Sequence, residues 1–230
     1  MFPIGDENRQ GHIVPLVNYL LIAINFVVFY HEITLGSDQA TQAFINQYGV
    51  VPRQILAGQH LSTLLTSMFV HGGWAHILGN MVFLWVFGDN VEDAFGHLGY
   101  LVFYLVTGLA ASAAHILLNR ASDVPSVGAS GAISGVLGAY LIFFGGNPIR
   151  VLIFLFITTV PAWLMIGLWA IQQFMATYGA LAHTYQTTDG VAYAAHAGGF
   201  LAGMLIATYL RASFGRPGQR PATNRGWRTY

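Results

Sequence analysis

Long stretches of this 230-residue sequence carry no charged side chain. Residues 54–88 and 151–188 contain no Asp, Glu, Lys or Arg, and only 8% of the whole chain is charged. A soluble domain would carry about a quarter charged residues. Because a membrane-spanning helix needs roughly 20 predominantly apolar residues, these charge-free stretches predict a polytopic membrane protein.

Six apolar segments of the sequence are candidate spans. They cover residues 13–30, 74–87, 98–118, 130–144, 150–174 and 191–210. We therefore predict an all-α fold, a six-helix transmembrane bundle that occupies residues 12–211 as one domain. A short cytoplasmic segment, 1–11, precedes it, and an Arg-rich tail, 212–230, follows and is predicted to be disordered. Residues 32–69 are predicted to form an interfacial, partly helical loop.

The arginine residues are distributed unequally between the two sides of such a bundle. Six spans place both termini on one side, and that side holds seven arginines. They are Arg9, Arg150, Arg211, Arg216, Arg220, Arg225 and Arg228. The other side holds Arg53 and Arg120. Because basic residues are enriched in cytoplasmic loops, both termini are predicted to be cytoplasmic.

The composition excludes several kinds of chemistry. The chain has no Cys, which excludes disulfides, thiolate nucleophiles and Cys-ligated metals. All nine basic residues are Arg, so a Ser–Lys dyad is excluded as well. Nine acidic residues balance them, and no basic surface indicates binding to nucleic acid.

A serine lies at the predicted outer end of the fourth span. Ser130 stands in the segment Gly128-Ala-Ser-Gly131, after a loop on the non-cytoplasmic side. Unpaired N–H groups and the positive dipole end of a helix N-terminus suit a serine whose attack generates an oxyanion. Taken alone, this short motif favours a stripe of small residues for helix packing.

A histidine lies at a similar depth in the sixth span. Gly199 and Gly203 follow His196 at i+3 and i+7 and share its helix face. Their lack of side chains permits close approach to another helix, and the small residues after Ser130 are the natural partner. Such contact would bring the imidazole within reach of Ser130 Oγ, as general-base activation requires. The alternative is a histidine that only forms an interhelical hydrogen bond.

A third polar group enters the second span from the outer side. His76 and Asn80 are four residues apart and share a helix face. Both can donate a hydrogen bond to a developing oxyanion. The alternatives are polar contacts between helices or a metal site. The metal site is disfavoured, because no His-Glu-x-x-His motif occurs and no carboxylate lies in a predicted helix core.

In this order, the three groups resemble the rhomboid family of intramembrane proteases. The family pattern has His-Gly-x-x-x-His-x-x-x-Asn in the second helix and Gly-x-Ser-Gly at the start of the fourth. In the sixth helix it has Ala-His-x-x-Gly-x-x-x-Gly. All three motifs are complete here, and the likeness covers residues 48–210.

The resemblance implies a serine endopeptidase that cleaves membrane proteins in or beside their transmembrane segments, within the lipid bilayer. Ser130 would be the nucleophile and His196 the general base, while His76, Asn80 and the Ser130 backbone N–H would form the oxyanion hole. The expected site-shaping residues are His71, Gly72, Gly128, Gly131, Gly199 and Gly203. No metal or cofactor is expected. A bacterial-type member would lie in the cell inner membrane with its active site opening to the outer side.

Two departures from the family concern the shape of the substrate pocket. Some members carry an aromatic residue one turn after the serine, where it packs on the catalytic histidine, and this chain has Ser134 there. A Trp-Arg pair that others carry in the first loop is missing. The family has no third triad member, and we assign no such role to Asp123 or Asp189.

Two other functions are compatible with the sequence. One is a rhomboid-like pseudoprotease that binds membrane proteins without cleaving them, although such relatives usually lose the serine or the histidine. The other is a small transporter, but transporters tend to have two related halves and charged groups at mid-membrane. Neither feature is visible in the sequence.

Overall fold

The computed structural model describes residues 1–6, 13–183 and 192–214. In chain order its helices are α1 (Leu16–Ile33), α2 (Asp38–Tyr48), α3 (Pro52–Leu56), α4 (Thr63–Thr66), α5 (Trp74–Phe95), α6 (His97–Leu118), α7 (Ser130–Phe144), α8 (Ala162–His183) and α9 (Tyr193–Phe214), with a 3₁₀ turn at Ser67–Phe69. Its strands are β1 (Phe2–Asp6), β2 (Pro148–Ile153) and β3 (Phe156–Pro161).

The described part of the chain is mostly helical. By length and composition, three of its helical segments could cross a membrane: Leu16–Ile33, His97–Leu118 and Tyr193–Ser213. Helix α7 is apolar but shorter, with 15 residues. The architecture confirms the predicted fold class, a helical bundle of a multi-pass membrane protein.

Helix α7 lies at the centre of the bundle. Every residue from Gly131 to Tyr140 is buried, and α5, α6, α8 and α9 all contact this helix. Its small residues permit the contacts, because a Cβ at Gly138 would overlap the backbone carbonyl of Phe200 in α9. A Cβ at Gly135 would overlap the Thr107 side chain in α6. At these two glycines the central helix approaches its neighbours more closely than a side chain would allow.

Helix α5 continues past the predicted end of the second span at residue 87. The extension carries Glu92, which is fully buried. Its carboxylate accepts hydrogen bonds from the backbone N–H groups of Val17 (2.9 Å) and Asn18 (2.7 Å) at the start of α1. It also contacts the His97 ring nitrogen. These partners satisfy the buried carboxyl group, so the helix can carry it beyond the apolar segment.

The predicted start of the fifth span at residue 150 is wrong. Strands β2 and β3 form an antiparallel hairpin there, β1 pairs with the other edge of β2, and helix α8 begins only at Ala162. The run from Ile149 to Val160 is rich in β-branched and aromatic residues, which favour strands. Apolar composition alone does not separate a buried strand from a helix. The predicted tail, 212–230, lies mostly outside the described residues.

Candidate active site

Ser130 is the first residue of α7, and two backbone contacts hold the loop that leads to it. Val50 and Ser126 exchange backbone hydrogen bonds of 2.9 and 2.8 Å. The Gly128 N–H donates to the Ser67 carbonyl over 2.8 Å. The segment before the second span therefore positions the serine, whose own N–H lies in the first turn of the helix, where no intrahelical acceptor exists.

His196 lies in the first turn of α9, beside Ser130. Its Nε2 atom is 2.7 Å from Ser130 Oγ, a hydrogen-bond distance. The two side chains come from residues 66 positions apart in the chain. This contact has the geometry that general-base activation of a hydroxyl requires.

Close contact between α7 and α9 brings these two side chains together. A Cβ at Gly199 would overlap the Gly131 carbonyl oxygen, and a Cβ at Gly203 would overlap the Gly135 carbonyl oxygen. Gly131 in turn faces α6, where a Cβ would lie 2.6 Å from the Ala111 Cβ. The predicted small-residue stripes therefore do meet, one turn after the other, on the side of α9 that carries His196.

Gln173 of α8 binds the other nitrogen of the same ring. Its Oε1 atom lies 2.8 Å from His196 Nδ1, and the residue is only 6% exposed. Trp169, one turn earlier on α8, lies beside the imidazole with ring centroids 6.1 Å apart. The sequence interpretation missed both residues. The adjacent Gln172 and Gln173 inside an apolar span could have indicated this region, because polar groups in spans usually face a site.

His76 and Asn80 line the same cavity as the dyad. Asn80 is buried, and its Nδ2 atom has no hydrogen-bond partner within the described residues. Gly128 adopts φ +122°, and a Cβ there would lie 2.6 Å from His76 Nε2 and 3.6 Å from Asn80 Nδ2. The glycine is required twice over, by its backbone conformation and by the close approach of these two side chains.

The His76 ring has a defined orientation. Its Nδ1 accepts a long hydrogen bond, 3.4 Å, from the Gly72 N–H. An accepting Nδ1 leaves the proton of a neutral imidazole on Nε2, the atom that faces Gly128. His76 can therefore donate a hydrogen bond into the space in front of Ser130.

His71 packs against His76 and helps to hold that residue in place. It is buried, and its ring packs edge-on against His76 with centroids 5.1 Å apart. Its backbone N–H donates to both Glu32 carboxylate oxygens, at 3.1 and 3.3 Å. Burial, with a smaller contribution from His76, lowers the pKa of His71 to about 3, so the ring is neutral at physiological pH. A Cβ at Gly72 would lie 3.9 Å from His76 Nδ1 and would meet nothing nearer.

A cavity of about 550 Å³ connects these groups. Ser130, His196, His76, Asn80 and Trp169 all line it. His115, in the last turn of α6, contributes to the same wall. The volume lies in the range of sites for small ligands or peptide side chains.

Three further residues were considered in the sequence: Ser134, Asp123 and Asp189. Ser134 is fully buried, and its hydroxyl donates to the Ser130 carbonyl over 2.6 Å rather than contacting the imidazole. Asp123 forms an exposed ion pair with Arg53 at 2.7 Å. Asp189 lies outside the described residues. Within the described ranges no group of three or more His, Asp or Glu side chains could hold a metal ion, and the independence of metals stays a prediction.

Known proteins resemble this chain over much of its length. The Rhomboid domain family model matches residues 58–213, well over half of the chain. "Rhomboid protease GluP" of Bacillus subtilis is 35% identical over 127 residues, which are 55% of this chain and 24% of that protein. "Rhomboid protein 1, mitochondrial" of Saccharomyces cerevisiae is 28% identical over 206 residues, 88% of this chain and 55% of that protein.

"RHOMBOID-like protein 5" of Arabidopsis thaliana is 32% identical over 97 residues, 42% of this chain and 31% of that protein. The matches thus span between about a quarter and about half of the length of these relatives. The family-model match includes all the motif residues from His71 to Gly203. The chain belongs to the rhomboid family.

Proposed function

We propose that this protein is an intramembrane serine endopeptidase that cleaves transmembrane or juxtamembrane segments of other membrane proteins. The observation that carries the proposal is the 2.7 Å contact between Ser130 Oγ and His196 Nε2 at the wall of a cavity. One relative of this chain is itself named a protease. The active site would open to the outer side of the cell inner membrane, where water for hydrolysis is available.

The proposed reaction begins at the serine hydroxyl. Ser130 Oγ attacks the carbonyl carbon of the substrate peptide bond as its proton passes to His196 Nε2. The C–N bond then breaks, and His196 returns the proton to the leaving amine. Water attacks the resulting ester in the same way, and the Ser130 hydroxyl is regenerated with release of the carboxylic acid product.

The oxyanion of each tetrahedral intermediate needs hydrogen-bond donors that are already in place. Asn80 Nδ2, which has no hydrogen-bond partner among the described residues, and the His76 Nε2–H would supply two of them. The Ser130 backbone N–H at the start of α7 would supply the third. Because these donors are buried or held by the backbone, they require little reorganisation when the charge develops.

A cleavage assay in lipid vesicles tests the proposal. Purified protein is incubated with a panel of membrane-protein substrates, and the products are mapped by mass spectrometry. We expect cleavage by the wild type and none by Ser130→Ala, with Ser62→Ala, at an exposed serine outside the cavity, as the control that retains activity. Chelator should not inhibit cleavage. Substrate binding without cleavage across the panel would favour the pseudoprotease instead.

A further inference from the structure

Beyond the dyad, the His196 ring contacts two side chains of α8. We propose that Gln173 is a positioning residue that accepts a hydrogen bond from His196 Nδ1–H and so keeps Nε2 unprotonated towards Ser130. The proposal rests on the proposed function. It adds a third residue to the proposed pair of Ser130 and His196.

Both nitrogens of the ring have a partner at short distance. Nδ1 lies 2.8 Å from Gln173 Oε1, and Nε2 lies 2.7 Å from Ser130 Oγ. The amide oxygen of glutamine is only an acceptor. With Oε1 facing Nδ1, the neutral imidazole that satisfies both contacts carries its hydrogen on Nδ1, which leaves the Nε2 lone pair to receive the serine proton. The opposite tautomer would direct a lone pair at Oε1 and a proton at the nucleophile.

Burial of Gln173 strengthens the preference for this tautomer of His196. Gln173 is 6% exposed and lies in a helix of a membrane protein, where little water can replace a lost partner. Its neighbour Gln172 is exposed and contributes nothing to the site. The backbone around Gln173 is held as well, because its carbonyl accepts a 2.8 Å hydrogen bond from the Thr177 hydroxyl.

Trp169 packs beside the same imidazole ring of His196. It stands one turn before Gln173 on α8, and its ring lies at 35° to the imidazole. Helix α7 offers no such support, because the Ser134 hydroxyl is engaged with the Ser130 carbonyl. Helix α8 therefore supplies both the acceptor and the aromatic wall for a histidine that belongs to α9. A displacement of α8 would release the imidazole from both.

Three variants separate an acceptor role from simple packing. Gln173→Met keeps the length of the side chain but removes the acceptor, while Gln173→Glu keeps an acceptor at the same reach. Gln172→Met is the matched exposed control. We expect Gln173→Met to lower kcat on the order of 10- to 100-fold with little change in KM, as a misdirected reacting group does. Gln173→Glu should retain most of the activity, and Gln172→Met should behave as wild type.

A spectroscopic measurement reports the tautomer directly. Nitrogen NMR of protein labelled at histidine, with the His196 signals assigned by difference against His196→Ala, should show Nδ1–H in the wild type. Gln173→Met should show a mixture or the Nε2–H form. A purely structural role for Gln173 would change stability without changing this tautomer.

The outcomes distinguish failure of this inference from failure of the proposed function. Wild-type protein that cleaves nothing contradicts the protease itself. If the wild type cleaves and Ser130→Ala does not, then full kcat in Gln173→Met overturns the positioning role. Equal losses in Gln173→Met and Gln173→Glu overturn it too. Should Gln173→Met unfold, Gln173→Asn provides the same comparison, because its amide is one methylene too short to reach Nδ1.

Discussion

Ser130 and His196 are expected to act as one unit. Ser130→Ala removes the attacking oxygen, and His196→Ala leaves that oxygen protonated and weakly nucleophilic. Each single variant should therefore lose nearly as much activity as the double variant. The measurement is turnover of one membrane substrate by each folded variant in vesicles. Additive losses, with the double variant far below either single, would contradict a shared step.

Asn80 has a different role at the residue scale, because it only donates to the developing oxyanion. Loss of one such donor typically costs about 10²–10³ in rate. We expect Asn80→Ala to be impaired but measurable, since His76 and the Ser130 N–H still donate. Asp123→Ala is the control and should retain full activity, because Asp123 pairs with Arg53 on the surface. An Asn80→Ala variant as active as Asp123→Ala would remove Asn80 from the site.

At the scale of elements, the contact between α7 and α9 sets the distance within the dyad. Gly199→Val would push the helices apart, because even a Cβ overlaps the Gly131 carbonyl. Overpacking of this kind typically costs about 1–3 kcal/mol, so both the melting temperature and the cleavage rate should fall. Gly167→Ala is the control, since a Cβ there meets nothing within 4 Å. Wild-type activity and stability in Gly199→Val would contradict this packing role.

At the scale of the whole molecule, the arginine distribution predicts which surface is cytoplasmic. The chain has no Cys, so a single introduced cysteine reports its own side of the membrane. Val124→Cys lies in the loop before α7, and Thr158→Cys lies in the β2–β3 hairpin, both at exposed positions. In intact spheroplasts a membrane-impermeant maleimide should label the first variant only. Labelling of the second alone would invert the orientation.

Much of the site followed from the sequence, because few polar residues occur within apolar spans. Ser130, His196, His76 and Asn80 stood out for that reason, and the structure brings them to one cavity. The glycines at i+3 and i+7 from His196 identified the face of α9 that meets α7. Their roles in catalysis stay predictions until the variants are measured.

Other features depended on the tertiary structure. Residues 150–161 of the hairpin were predicted to be helical, because the pairing of β2 with β1 joins Leu152 to Phe2, near the start of the chain, and no local pattern reports it. The role of Gln173 was missed for a related reason. A helix of this length presents residues on every side, and only its packing against α9 decides which of them reach the site.

The sequence by itself determined that the chain forms a helical membrane bundle, and it determined which residues can carry the chemistry. Apolar segments that cross a bilayer need backbones satisfied within the segment, which favours helices, and the motif residues carry side chains suited to attack, to accept a proton or to donate to an oxyanion. Only the tertiary structure decided that Gln173 and Trp169 surround His196. Their positions depend on the rotation of α8 against α9, which arises from contacts between segments distant in the chain.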